Sequence, residues 1–160
     1  MQHDSYSDAY LAGILRDSRV IAVVGASPER NRPSYSVMQF LQKRGFRIIP
    51  VNPRAAGQML LGEKIHASLG EVAVPIDMVD IFRKSDAVVP IVEEAIAVKA
   101  KFIWMQLEVR NDAAARLAEA AGLKVVMNRC SKIEYGRLSG QIGFMGVSTG
   151  IINNSRRRQL

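Results

Sequence analysis

Five short apolar runs, each closed by turn-forming residues and separated from the next by a stretch with helical spacing, constrain this chain more than any other feature. They are 19–24 (RVIAVV), 47–51 (RIIPV), 77–82 (DMVDIF), 101–107 (KFIWMQL) and 123–127 (LKVVM). The first is a continuous β-branched run with no alternation, the pattern of a strand covered on both faces. Between the runs lie helix signals. A leading helix is expected over 6–17. Pro33 and Ser34 open a helix that presents Val37, Phe40 and Leu41 on one face, with Gly45 as its left-handed cap. Ser85 or Asp86 is placed to cap a helix carrying Val88, Ile91, Val92, Ala95 and Ile96, with Pro90 in its first turn. Asn111 caps an alanine-rich helix that Gly122 closes. Residues 54–74 read as loop with one helical turn near Ser68.

Strands and helices alternating at this spacing predict an α/β fold: a doubly wound parallel five-stranded sheet, order 3-2-1-4-5, with helices on both faces. Residues 128–160 have weak periodicity and are expected to wrap the same domain. That gives a single domain over 1–154 and a basic flexible tail over 155–160.

Composition narrows the function classes. At 48% hydrophobic and 23% charged the chain is globular rather than disordered. No apolar run reaches the roughly 18 residues of a membrane helix. The opening MQHDSYSDAY lacks a basic flank before an apolar stretch, so no signal peptide is expected and a cytoplasmic location follows by default. Cys130 is the single cysteine and His3 and His66 are the only histidines. Neither an internal disulfide nor a metal centre is therefore expected, and Cys130 reads as a small, partly buried apolar residue in preference to a reactive thiol. The net charge is +7, and setting aside Arg156, Arg157 and Arg158 leaves +4. Such a surface favours anionic ligands without arguing for nucleic acid.

In an open α/β sheet, ligands bind beyond the carboxyl ends of the strands where the winding reverses. For the order above, that point falls between the first and fourth strands. Gly25 ends the first strand, Ala26 and Ser27 keep the turn small, and amides near Ser34 at the following helix N-terminus attract an anion. A GxGxxG fingerprint is absent, since Ser27 and Arg30 stand where its later glycines would be. The second strand ends in Val51-Asn52-Pro53-Arg54. No carboxylate is there to accept from an NAD ribose, and Arg54 can pair with a ribose phosphate, which leaves NADP or coenzyme A. Arg54 reads equally well as a solvated loop arginine. Arg30 and Arg32 stand near a pyrophosphate position. Phe82-Arg83 and Trp104-Met105-Gln106 supply an apolar wall with polar tips, although Phe82 and Trp104 also suit the core. Asp77, Asp80, Glu93, Glu94 and Glu134 form no spacing that implies an acid–base pair, so a binding module without catalytic activity of its own is expected.

Taken together, VIAVVGASPERNRPSYSV, IIPVNPRAAG, IDMVDIFRKSDAV, AKFIWMQLEV and GLKVVMNRCSKIEYGRL resemble the small stand-alone CoA-binding proteins. That family is similar in fold to the CoA-binding amino-terminal domain of the succinyl-CoA synthetase alpha subunit. The likeness runs in register over about 19–138, and GVSTGIIN extends it. The resemblance implies a Rossmann-like domain that binds CoA or an acyl-CoA. It places the pyrophosphate on Gly25, Ala26, Ser27, Arg32, Pro33 and Ser34. It puts the adenosine and its 3′-phosphate beside Asn52, Pro53 and Arg54. The pantetheine arm would then run along Phe82, Arg83, Trp104, Met105 and Gln106. The synthetase's phosphohistidine chemistry belongs to a later domain outside the likeness, so ligase activity is not implied. Three positions depart from the family pattern: Glu108 for a glycine, Asn128 for an aspartate and Gly136 for a proline. The alternative to a CoA module is an NADP-dependent oxidoreductase of minimal size, and a third reading is a nucleic-acid partner held by the basic tail. Homodimerisation is compatible with all three.

Overall fold

The computed structural model describes residues 1–145. The basic tail and the GVSTGIIN segment lie outside the described residues. In chain order the elements begin with α1 (Asp8–Asp17), β1 (Val20–Val24), α2 (Pro33–Lys43) and β2 (Arg47–Val51). A short antiparallel hairpin follows, β3 (Met59–Leu60) and β4 (Glu63–Lys64). Then come β5 (Met78–Ile81), α3 (Val88–Ala97), β6 (Phe102–Met105), α4 (Asp112–Ala120), β7 (Lys124–Val126) and α5 (Ser131–Met145). The fold is Rossmann-like: β1, β2, β5, β6 and β7 pair in parallel, and helices cover both faces.

Successive strand residues face opposite sides, so each strand feeds two cores. Ile21, Val23, Phe102 and Trp104 pack with α1, α2 and α5. Ala22, Val24, Ile103 and Met105 pack with α3 and α4. This double burial is why the strand runs are continuously apolar.

The observed sheet order is β2-β1-β5-β6-β7. Counted along the five parallel strands this is 2-1-3-4-5, not the expected 3-2-1-4-5. The second strand is an edge. Pro50 lies in it, and a proline cannot donate to a neighbouring ladder, which confines it to edge strands. The Pro50 carbonyl points outward and accepts from the His66 amide at 3.0 Å, while the Asn52 amide donates to the His66 carbonyl at 2.8 Å. The loop after β2 thus occupies its outer side. The third strand has to pair on the free side of β1 instead, and the winding reverses between β1 and β5.

Three local expectations also change. Residues 54–74, which read as loop with one helical turn, carry the β3–β4 hairpin as well as a 3-10 turn over Leu69–Glu71. Ser85 does not cap α3, which has no side-chain cap and follows a 3-10 turn over Ser85–Ala87. The Ser85 hydroxyl donates to the Glu108 carbonyl at 3.3 Å and accepts from the Arg110 amide at 3.0 Å. Residues 131–145 form a helix rather than a loose wrap, and it buries Tyr135, Leu138 and Ile142. Their helical spacing is diluted in the sequence by Gly136 and Gly140.

The outer edge of β7 is closed by two tyrosines. The Tyr10 hydroxyl donates to the Val125 carbonyl at 2.8 Å and accepts from its amide at 3.1 Å. The Tyr6 hydroxyl accepts from the Met127 amide at 2.8 Å, and the two rings stack. Burial pushes the Tyr10 hydroxyl up to about 12, so it stays protonated and keeps donating. Among the described residues, no helix is long and apolar enough to cross a membrane, and no cluster of metal-ligating side chains occurs.

Candidate functional site

The site begins at Gly25, where β1 must turn against the end of β5. Gly25 has φ +88°, a conformation that only glycine adopts cheaply. A Cβ there would collide with the backbone carbonyl of Phe82. Both constraints admit glycine alone, so the residue read from the sequence as a turn also marks a close backbone approach.

The loop after Gly25 is wired to its neighbours. The amides of Gly25 and Ala26 donate to the Val51 carbonyl at 2.9 and 3.3 Å. The Ser27 amide donates to Ser34 Oγ at 3.1 Å, and Ser27 Oγ accepts from the Glu29 amide at 3.1 Å. Asn52 Nδ2 donates to the Ala26 carbonyl at 2.8 Å, and Asn52 Oδ1 accepts from the Arg54 amide at 3.0 Å. Ser27, Ser34 and Asn52 therefore hold the shape of the loop. What faces outward is the N-terminus of α2, which carries Arg32 as its N-cap, no side-chain cap and no acidic residue in its first turn. A helix N-terminus without a side-chain cap and a guanidinium together suit an anion.

A cleft of about 700 Å³ opens beside this terminus, beyond the carboxyl ends of β1, β5 and β6. It sits where the strand order reverses, as expected for an open α/β sheet, and its volume lies within the range of cofactor pockets. Of the residues singled out from the sequence, Gly25, Arg32, Pro33, Ser34, Phe82, Arg83 and Gln106 line it together. Ala26 is fully buried beneath the loop. Ser27, Asn52, Pro53 and Arg54 lie outside the lining, with Pro53 and Arg54 exposed at the end of β2. Trp104 and Met105 are fully buried in opposite cores, and Trp104 Nε1 donates to the Arg129 carbonyl at 2.9 Å. The structure does not bring these two to the cleft. Gln106, one residue beyond the strand, is where the run opens into it.

The opposite wall comes from α5, which sequence reasoning missed. Cys130, Lys132 and Ile133 line the cleft, as do Lys84 and the segment from Leu107 to Val109. Four cations, Arg32, Arg83, Lys84 and Lys132, meet one carboxylate, Glu108. Leu107 and Ile133 are 53% and 56% exposed and form an apolar rim. Glu108 has φ +69°, which explains why a glycine is the expected residue there. Its amide donates to Asn128 Oδ1 at 2.7 Å, so the substituted asparagine stabilises the strained turn.

Beneath the cleft lies a closed polar ring. Gln106 Nε2 donates to Asp80 Oδ1 at 2.7 Å and to Ser131 Oγ at 2.8 Å, and Ser131 Oγ donates to Asp80 Oδ2 at 2.8 Å. All three residues are buried. Burial raises the Asp80 carboxyl to about 7, against the opposing pull of the two hydrogen bonds it accepts.

The model of the CoA binding domain family matches residues 19–136, which include both walls of the cleft as far as Ile133. The uncharacterized protein YneT of Bacillus subtilis (strain 168) is 36% identical over 129 residues, covering 81% of this chain and 94% of that protein. A hypothetical protein from Pyrococcus horikoshii OT3 superposes with a TM-score of 0.80 at 36% identity, over 86% of this chain and 96% of that one. A larger protein, the dinucleotide forming acetyl-coenzyme A synthetase 1 of Ca. Korarchaeum cryptofilum, shares the fold at TM-score 0.58 and 23% identity, over 67% of this chain and 25% of its own. The chain belongs to the CoA binding domain family.

Proposed function

We propose that this chain binds coenzyme A or an acyl-CoA in the cleft between the α2 N-terminus and α5, and acts as a binding module without chemistry of its own. The observation that carries this reading is the surplus of cations around an uncapped helix N-terminus at the point where the sheet winding reverses. Arg32 and the α2 amides take the pyrophosphate. Phe82, Arg83 and Gln106 flank the pantetheine arm, and Leu107 with Ile133 offers an acyl group an apolar exit. Arg54, exposed at the end of β2, takes the 3′-phosphate.

Mass spectrometry of nucleotide that co-purifies with the native protein tests the ligand class. Calorimetry with CoA, dephospho-CoA and NADP tests the assignment of groups. Micromolar CoA binding is expected, with NADP much weaker. Arg54→Ala is expected to bring CoA down to the level of dephospho-CoA; equal losses for both would remove Arg54 from the 3′-phosphate. Co-purified NADP, or NADP binding at least as tight as CoA, would overturn the reading.

A further inference from the structure

The polar ring under the cleft determines what Gln106 can offer a ligand. Ser131 has one hydroxyl proton and gives it to Asp80 Oδ2, so its oxygen is left as an acceptor. Asp80, when ionised, only accepts. Both acceptors are met by Gln106 Nε2, whose two hydrogens point to Asp80 Oδ1 and to Ser131 Oγ. The donor capacity of the carboxamide is thereby used inward, and Oε1 is the group left for the cleft that Gln106 lines. An unrestrained glutamine presents either end; this one is held in a single orientation from below.

We infer that Asp80 and Ser131 are positioning residues that fix the Gln106 carboxamide oxygen-outward, making the site select an N–H donor on its ligand. Given the CoA reading above, on which this inference rests, the donor is a pantetheine amide. The adenosine and phosphate end of the ligand is not involved. Removing the ring should therefore affect recognition of one half of the ligand and spare the other.

Asp80→Asn provides the test. It keeps the shape of the side chain and removes a buried charge, but its new amide can donate to Gln106 Oε1 and turn the carboxamide over. Binding is measured at about pH 8.5, where Asp80 is ionised, with three probes: CoA, adenosine 3′,5′-bisphosphate, and CoA analogues in which one or the other pantetheine amide is replaced by an ester. The wild-type chain is expected to prefer CoA over one ester analogue by about five- to tenfold, the value of one well-made hydrogen bond. Asp80→Asn should erase that preference and leave bisphosphate binding unchanged. Ser131→Ala, which removes one of the two inward acceptors, should reduce the preference partway and stands in if Asp80→Asn fails to fold. A variant that keeps the full preference, or loses CoA and bisphosphate in equal proportion, overturns the inference while leaving the CoA reading standing. A wild-type chain that binds no CoA overturns both.

Discussion

On the β1 side of the cleft, Gly25, Ser34 and Asn52 hold the loop through backbone contacts and short neutral side chains. On the α5 side, the wall stands on Asp80, Gln106 and Ser131, a ring that includes a buried titratable group. The first arrangement is set by sterics and is insensitive to pH. The second holds a carboxyl that burial raises to about 7, so its protonation state changes near neutrality. One cleft thus joins a rigid wall to a tunable one.

Gly25→Val is the strongest way to break the rigid wall. The substitution combines a positive φ with a collision against the Phe82 backbone, and a loss of roughly 3–5 kcal/mol is expected in denaturant unfolding, together with loss of CoA binding. Unchanged stability would mean that β1 and β5 do not approach as described.

The tunable wall has a pH signature. Native Asp80 keeps its proton up to about pH 7, whereas the unfolded chain releases it near the ordinary value of 3.8. Between those limits the native state binds more protons, so its contribution to stability is fully present below the lower limit. It is lost as pH rises through the upper one, at a slope approaching 1.4 kcal/mol per pH unit. Asp80→Asn should remove this component from a pH series of unfolding curves and raise stability relative to wild type at pH 8. If the slopes of the two proteins matched, Asp80 would not carry a raised value.

The smallest expected effect sharpens the contrast on α5 itself. A Cβ at Gly140 would meet no atom within 4 Å, so Gly140→Ala should stabilise the helix by about 0.5–1 kcal/mol, read as a rise in the unfolding midpoint. No gain would show that the helix is already loosened at that position.

Much of the rigid wall was legible because its causes are local. A glycine after an apolar run, a proline opening a helix and an asparagine before Pro53 each signal their turn within a few residues. The five strand runs were legible for the same reason, and each strand of the parallel sheet falls within its run, whereas the β3–β4 hairpin lies in a segment that reads as loop. The sheet order was not, although Pro50 already argued against placing the second strand in the middle. The tunable wall was illegible because its residues meet only in three dimensions: Asp80, Gln106 and Ser131 come from three separate elements, and the glycines of α5 masked its periodicity. Trp104 and Met105 show the remaining difficulty. In a strand buried on both faces, hydrophobicity does not reveal which residue ends at the cleft. The polar Gln106 was the better marker.

The tyrosine closure of β7 carries a consequence for how the molecule behaves among its own copies. Strand edges with free amides and carbonyls recruit other strands, and here the hydroxyls of Tyr6 and Tyr10 occupy that template from within the same chain. A protease that trims the first ten residues would do more than shorten the protein. It would uncover an adhesive border, and the trimmed molecules would begin to associate through it.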